Sequence, residues 1–350
     1  MKRGLKFSVA TILLLFAGML FSAEYVGSDA CYKCHAQQYN NHKTSGHPYK
    51  LQKAKDAMKW PHPLPVGYEW DDISYVIGGV NKKTRYINKT GYIITAAKDG
   101  SDLKTQYNLE TGTWSYYHKG EKKPYDCGRC HTTGYSKEGH QDGLEGLIGT
   151  WAAPGIQCEA CHGPASDHVK TGNKKKIVID RSNESCGQCH VRGAKDKIPA
   201  SKGFIRHHEQ LNEILASPHK NVTCITCHNP HKRAAFSIKN TCEDCHSSQA
   251  RAFSNSTMQQ VGLECIDCHM PKAAKSAVAK AQFEGDIRSH IFRISTNPTE
   301  TMFYQEKVNG KNTTYAKGVL TLGFACLNCH KNKDLKWAAA KAQGIHSYGK

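Results

Sequence analysis

Every cysteine of this chain lies in the same five-residue frame. All 16 fall into C-x-x-C pairs, and each pair is followed at once by histidine. The eight motifs are CYKCH (31–35), CGRCH (127–131), CEACH (158–162), CGQCH (186–190), CITCH (224–228), CEDCH (242–246), CIDCH (265–269) and CLNCH (326–330). Histidine occupies 20 of 350 positions, so eight successive occurrences at one offset are not chance. Neither disulfide pairing nor zinc binding requires a histidine there every time. Covalent haem c attachment does: two thiols add across the haem vinyl groups, and the next residue sets an imidazole under the iron. The pattern predicts eight covalently attached haem c groups. They are held by Cys31, Cys34, Cys127, Cys130, Cys158, Cys161, Cys186, Cys189, Cys224, Cys227, Cys242, Cys245, Cys265, Cys268, Cys326 and Cys329. The proximal iron ligands are His35, His131, His162, His190, His228, His246, His269 and His330.

So many macrocycles restrict the fold. Without a leader the chain has about 41 residues per haem, and only 39% of the whole sequence is apolar. A small body of protein of this kind needs staples, and here the haems must form much of the core. The expected fold is mostly α and irregular, packed around haem, with a small antiparallel β subdomain. The reading divides the chain into a signal peptide (1–23), a first haem-binding segment (24–62), a β-hairpin subdomain (63–125) and a seven-haem region with a C-terminal helix (126–350).

The leader is read from Lys2, Arg3 and Lys6, an apolar run from Val9 to Phe21, and a small-residue exit at Ser22-Ala23. The run falls short of the ~20 residues of a spanning helix. The mature chain is expected outside the cytoplasm, periplasmic or extracellular at the cell surface, with no transmembrane segment. Loss of the three leader cations lowers the formal charge from +18 to +15. Sixteen haem propionates bring it to about −1. The basic composition therefore does not argue for nucleic acid, and runs such as Lys174-Lys175-Lys176 balance propionates or stay solvated.

Between the first two motifs, β-branched and aromatic runs (Ile73–Ile77, Thr84–Ile87, Tyr92–Ala96, Gln106–Leu109, Trp114–Tyr117) are separated by GG, NKTG, KDGSD and ETG. These read as hairpins forming a lid over the first haems. Irregular motif steps argue against a solenoid. Short helices are expected at Glu209–Ala216, Ala252–Gln260 and in DLKWAAAKAQGIH.

Function depends on the second axial ligand. A strong one closes the iron for electron transfer; an open position admits substrate. Twelve histidines lie outside the motifs, enough for eight second ligands. In CITCHNPH, His231 is too close to His228 to reach the far face of the same haem, so it is expected to ligate a neighbour. His168, six residues after His162, can act similarly. His47, His208 (with His207 as competitor), His219, His290 and His346 are the other candidates. His42, His118 and His140 compete for the eighth place. His62, between prolines, reads as structural, and Met58, Met258, Met270 and Met302 read as packing residues.

The segments YVGSDACYKCH, SGHPYK, YVIGG, YDCGRCHTTGY, GTWAAPGIQCEACHGPASDHV, SPHKNVTCITCHNPH, CIDCHMPK and GDIRSHIFRI together resemble multihaem c-type cytochromes related to the cytochrome c-554 group. In that family, residues matching His47, His168, His208, His219, His231 and His290 look like distal ligands. The resemblance implies electron transfer outside the cytoplasm, in anaerobic or extracellular respiration. Implied partners are a quinol-oxidising membrane complex and other cytochromes, with assembly into a homo-oligomer or filament a further reading. The alternative is an octahaem oxidoreductase acting on nitrite, hydroxylamine or tetrathionate at one open haem. The chain is short for that class and lacks the C-x-x-C-Lys site of typical multihaem nitrite reductases.

Overall fold

Two thiols and an imidazole serve one haem only if they share a face, and one helical turn places residues i, i+3 and i+4 together. The motifs use such turns. Gly128–His131, Cys158–His162, Cys224–Cys227 and Cys265–His269 are isolated single-turn helices. The first motif lies in the longer helix Ser28–Thr44, which breaks at His35 (φ −122°, ψ 41°), directly after the cysteine turn. The fourth overlaps the helix Asn183–Gly187, and the eighth overlaps a π-helical turn, Gly323–Leu327. This computed structural model describes residues 23–254 and 256–346. The expected leader lies outside the described residues.

The strands, in chain order, are β1 (Leu51–Lys53), β2 (Ile73–Gly78), β3 (Lys83–Asn88), β4 (Tyr92–Ile93), β5 (Gln106–Asn108), β6 (Thr113–Ser115), β7 (Lys123–Pro124), β8 (Thr132–Thr133), β9 (Ala153–Pro154), β10 (Ile198–Ser201), β11 (Phe204–Arg206), β12 (Ala274–Lys275), β13 (Phe303–Val308) and β14 (Lys311–Ala316). The first seven form one antiparallel sheet, ordered β1-β2-β3-β4-β7, with β5 on β3 and β6 on β5. The hairpin pattern anticipated most of this sheet. β1 was not anticipated; it joins because Leu51 pairs with Ile77 and is fully buried.

A second sheet runs β12-β11-β10-β14-β13. It gathers strands from three distant stretches, and only its β13–β14 hairpin had a local signal. That signal is Asn309-Gly310, whose left-handed φ values of 49° and 76° suit a two-residue hairpin turn. The architecture is short helices and irregular chain with small, mainly antiparallel sheets, the β11–β12 pair being parallel.

Buried apolar side chains collect in the sheets. One cluster joins Ile198, Phe204, Ile205, Ile291, Leu320 and Phe324. Another joins Leu51, Tyr75, Ile87, Tyr125, Leu147 and Trp151. Between residues 166 and 197, and again between 215 and 270, no described apolar side chain is buried. Those stretches contain four of the eight motifs. Polypeptide without its own core, folded into single turns, is what a chain wrapped around bulky apolar groups should look like.

Candidate haem-binding sites

An imidazole binds a transition metal at about 2 Å. With each ring centre about 1 Å behind its nitrogen, two imidazoles across one metal have centroids about 6 Å apart. The chain holds such pairs repeatedly. His35 lies 6.3 Å from His168, His162 6.2 Å from His231, and His228 6.3 Å from His290. His246 lies 5.8 Å from His219, and His269 5.8 Å from His346. His190 has two such neighbours, His47 at 6.2 Å and His208 at 6.1 Å. Each pair joins a motif histidine to one outside the motifs. His231 faces His162 of the third motif, while its neighbour His228 faces His290.

The backs of five of these rings are also fixed. A metal-binding imidazole usually gives its other N–H to a fixed acceptor, which sets tautomer and orientation. Nδ1 of His162 donates to the Val178 carbonyl (2.7 Å), that of His168 to Asn173 (3.0 Å), and that of His269 to Phe292 (2.8 Å). His190 Nδ1 donates to Gln210 Oε1 (2.9 Å) and His228 Nδ1 to Ser237 Oγ (3.0 Å). All five leave Nε2 free for a metal. Burial holds His47, His190, His228, His231 and His290 below the ordinary imidazole range, His290 to about 4. The neutral, ligating form is thus favoured.

No cysteine is in a disulfide. Among the described residues, no three His, Cys, Asp or Glu side chains converge as a protein-only metal site would require. The thiols instead meet between motifs. Cys130 lies beside Cys189, and Cys186 beside Cys224. Cys31 is raised to about 11 by burial and then by Cys158, and Cys242 contacts Cys265. Cys161 feels Cys186, Cys227 feels Cys245, and Cys268 feels Cys326. These proximities order the attachment sites. The motifs follow one another as first, third, fourth, fifth, sixth, seventh and eighth, with the second beside the fourth.

His131 and His330 stand apart. Neither has a second histidine at axial-pair spacing among the described residues; the adjacent rings are Tyr125 at 6.4 Å and Trp337 at 4.8 Å. Of the competitors for an eighth place, His42 is buried beside His47, His118 bonds Glu121 (2.8 Å), and His140 bonds the Leu147 carbonyl (3.0 Å). His62 Nδ1 bonds the Tyr86 hydroxyl (3.0 Å) inside the first sheet.

Cations surround the second motif. Lys50 is depressed by burial; burial first, and the Lys50 charge after it, lower His131, His190 and His208. β3 supplies Lys83, brought to about 7 by burial and then Arg85, and Arg85 itself, 3.7 Å above the Tyr117 ring. Arg192 Nε lies 3.4 Å from Glu209, whose fully buried carboxyl is pushed up to about 9 by that burial. Sequence reasoning singled out none of these residues. The only local trace was the two cations alternating with Thr84 and Tyr86 on a strand with little exposure on either face.

Comparison with known families agrees with the donor set. A cytochrome c3 family model matches residues 150–247, and a model of cytochrome c554 and c-prime matches residues 94–163. The chain is a multihaem c-type cytochrome. It is 30% identical over 163 residues to the multiheme cytochrome MtrA of Shewanella baltica, covering 41% of this chain and 45% of MtrA. It is 22% identical over 364 residues to the dissimilatory sulfite reductase MccA of Wolinella succinogenes, covering 84% of this cytochrome and 46% of MccA. It thus spans about half the length of these curated relatives. The outer cell wall cytochrome OcwA shares its fold with a TM-score of 0.62 and 22% identity, over 91% of this chain and 86% of OcwA. The cytochrome binds haem c covalently. Among its described residues no helix is long and apolar enough to cross a membrane.

Proposed function

We propose that the cytochrome carries eight haems and relays electrons outside the cytoplasm, through a chain of mainly bis-histidine sites. The haems, when bound, supply the one-electron couples; the protein holds them in order and closes their irons. The observation that carries this reading is the set of six motif histidines facing outside histidines at 5.8–6.3 Å. His228 and His231 belong to different ring pairs, so one short loop ties the fifth site to the third, the two that flank the fourth in the row. The row of neighbouring motifs supports transfer between partners docked at the exposed first and eighth motifs. A membrane quinol-oxidising complex and other cytochromes are the partner classes this implies, with a filament of copies as an extension. Intact mass of the purified protein tests the haem count, with eight expected. EPR of the oxidised form tests the closure, with six or more low-spin haems expected. Fewer than six would refute it.

A second reading is favoured at one position. Among the described residues His131 lacks a second histidine at axial spacing, and Lys50, Arg85 and Arg192 gather around its motif, with Lys83 beside Arg85. Buried cations beside an accessible iron suit a small nitrogen or sulfur oxyanion. The likeness to the sulfite reductase MccA supports the same class. A high-spin signal that shifts with nitrite, hydroxylamine or sulfite, together with turnover using a reduced dye, would establish this reading. Absence of both would leave the relay alone.

A further inference from the structure

Five of the paired rings are held from behind through Nδ1, but the His219 ring is not. Its Nδ1 is buried and has no hydrogen-bond partner among the described residues. What bears on it instead is the Phe292 ring, whose centroid lies 4.5 Å away at 65°, an edge-to-face contact. His219 faces His246 of the sixth motif at 5.8 Å, and the two ring planes stand at 89° to each other. The planes of His35 and His168, of His162 and His231, and of His269 and His346 differ by only 26°, 9° and 23°. The same Phe292 serves the next site. Its carbonyl accepts from His269 Nδ1 (2.8 Å), behind the seventh motif.

One residue can face both sites because the chain turns sharply at it. The Arg293 amide donates to the Ile291 carbonyl (2.7 Å) and Phe292 has a φ of 61°, a γ-turn of the rare, strained, positive-φ form. Both flanks are fastened. Arg288 Nη1 donates to the carbonyls of Ile266 (2.9 Å) and Met270 (3.1 Å), and its Nη2 pairs with Asp267 (2.9 Å). The Ser289 amide donates to the Pro271 carbonyl (3.0 Å), Ile291 is fully buried, and the Leu320 amide donates to the Arg293 carbonyl (2.8 Å). Strain that the surrounding structure holds in place points to a functional constraint.

We infer that Phe292 is a positioning residue shared by two haem sites: its ring sets the His219 plane perpendicular to that of His246, and its carbonyl orients His269. Perpendicular imidazole planes leave two of the iron d orbitals nearly equal in energy, which gives a low-spin ferric centre a strongly anisotropic EPR signal. Parallel planes separate those orbitals and give a rhombic signal. The acceptor behind His269 raises the basicity of that ligand, which lowers the potential of the iron it binds. The inference rests on haem attachment at the sixth and seventh motifs, as proposed above.

The test uses Phe292→Gly and Phe292→Pro in the full-length holoprotein, with His219→Ala marking the sixth site. Glycine adopts positive φ without strain, so Phe292→Gly removes the ring and keeps the turn. Its EPR spectrum should lose one strongly anisotropic low-spin signal, the one that His219→Ala converts to high spin, and gain a rhombic one. Proline fixes φ at about −65° and so turns the carbonyl away from His269. Phe292→Pro should show the same EPR change and, in a redox titration, a raised midpoint potential at one further haem. An unaltered anisotropic signal in Phe292→Gly, a change confined to signals that His219→Ala leaves alone, or no raised midpoint in Phe292→Pro overturns the inference. Should either variant lose haem, a cryo-EM map of the unaltered holoprotein decides. The Phe292 ring should lie against His219, with the two imidazole planes on the sixth-motif iron near perpendicular, and parallel planes overturn the assignment. Intact mass of the unaltered protein reads haem attachment separately, so failure of that reading is distinguishable from failure of this one.

Discussion

The glutamate inside the third motif gives the sharpest stability prediction. Glu159 is 3% exposed, and its carboxylate accepts three backbone amides: Val26 (2.9 Å), Gly27 (2.8 Å) and Ala165 (2.9 Å). It pins the segment that leads into the helix carrying the first motif. Hydrogen bonds to a charged acceptor contribute about 1.5–3 kcal/mol each. Water recovers part of that at the half-buried Val26 and Gly27 amides, so Glu159→Ala is expected to cost about 3 kcal/mol in local stability. At 1.4 kcal/mol per factor of ten, this is about a hundredfold more frequent opening. Amide hydrogen exchange in the holoprotein, read by mass spectrometry over residues 24–34, should accelerate accordingly, while peptides from 198–206 remain unchanged. Glu159→Gln keeps Oε1, which takes Val26 and Ala165, but turns a donor toward Gly27, so it should fall between. Exchange within threefold of the unaltered protein, at full haem content, would refute the anchoring role.

Other expectations follow from single sites. A Cβ on Gly155 would lie 1.9 Å from the Pro48 carbonyl oxygen, and Gly155 has a φ of 72°. Gly155→Ala must therefore displace the His47 segment; the left-handed backbone alone costs about 1–2 kcal/mol. A lowered thermal midpoint with new high-spin haem is expected. His62 is depressed by burial, so it stays neutral in the fold while the unfolded chain takes up a proton below about 6.5. Its contribution is present above that pH and is lost as pH falls through it. His62→Gln should flatten the fall in denaturation midpoint between pH 7 and 5, and an unchanged slope would count against this. His231→Ala should leave haem content at its full value and turn one low-spin haem high-spin; loss of a haem from the fifth motif instead would contradict the pairing with His162.

The cysteine frame made the multihaem chemistry legible because a covalent motif is local: thiols, spacing and imidazole all lie within five residues. Most of the first sheet was legible for a similar reason, since alternating runs and turn residues are short-range. The second sheet was not, because its β11–β12 pairing joins Ile205 to Ala274 and its β10–β14 pairing joins Ile198 to Ala316, separations that no local pattern encodes. The separation of His228 and His231 into different ring pairs could be argued from sequence, because three residues cannot carry a side chain round a macrocycle.

Which irons those rings face was beyond that reasoning. Ring pairs such as His35 with His168 join residues 133 positions apart, and nothing local encodes that distance. The cation cluster at the second motif was invisible for the same reason: Lys50, Lys83, Arg85 and Arg192 look like ordinary surface charges until folding buries them beside one another. Covalent geometry along the chain determined what this protein carries. Packing across the chain decided how those groups are ordered, which are paired, and where one differs, because those properties depend on long-range contacts that only a folded backbone creates.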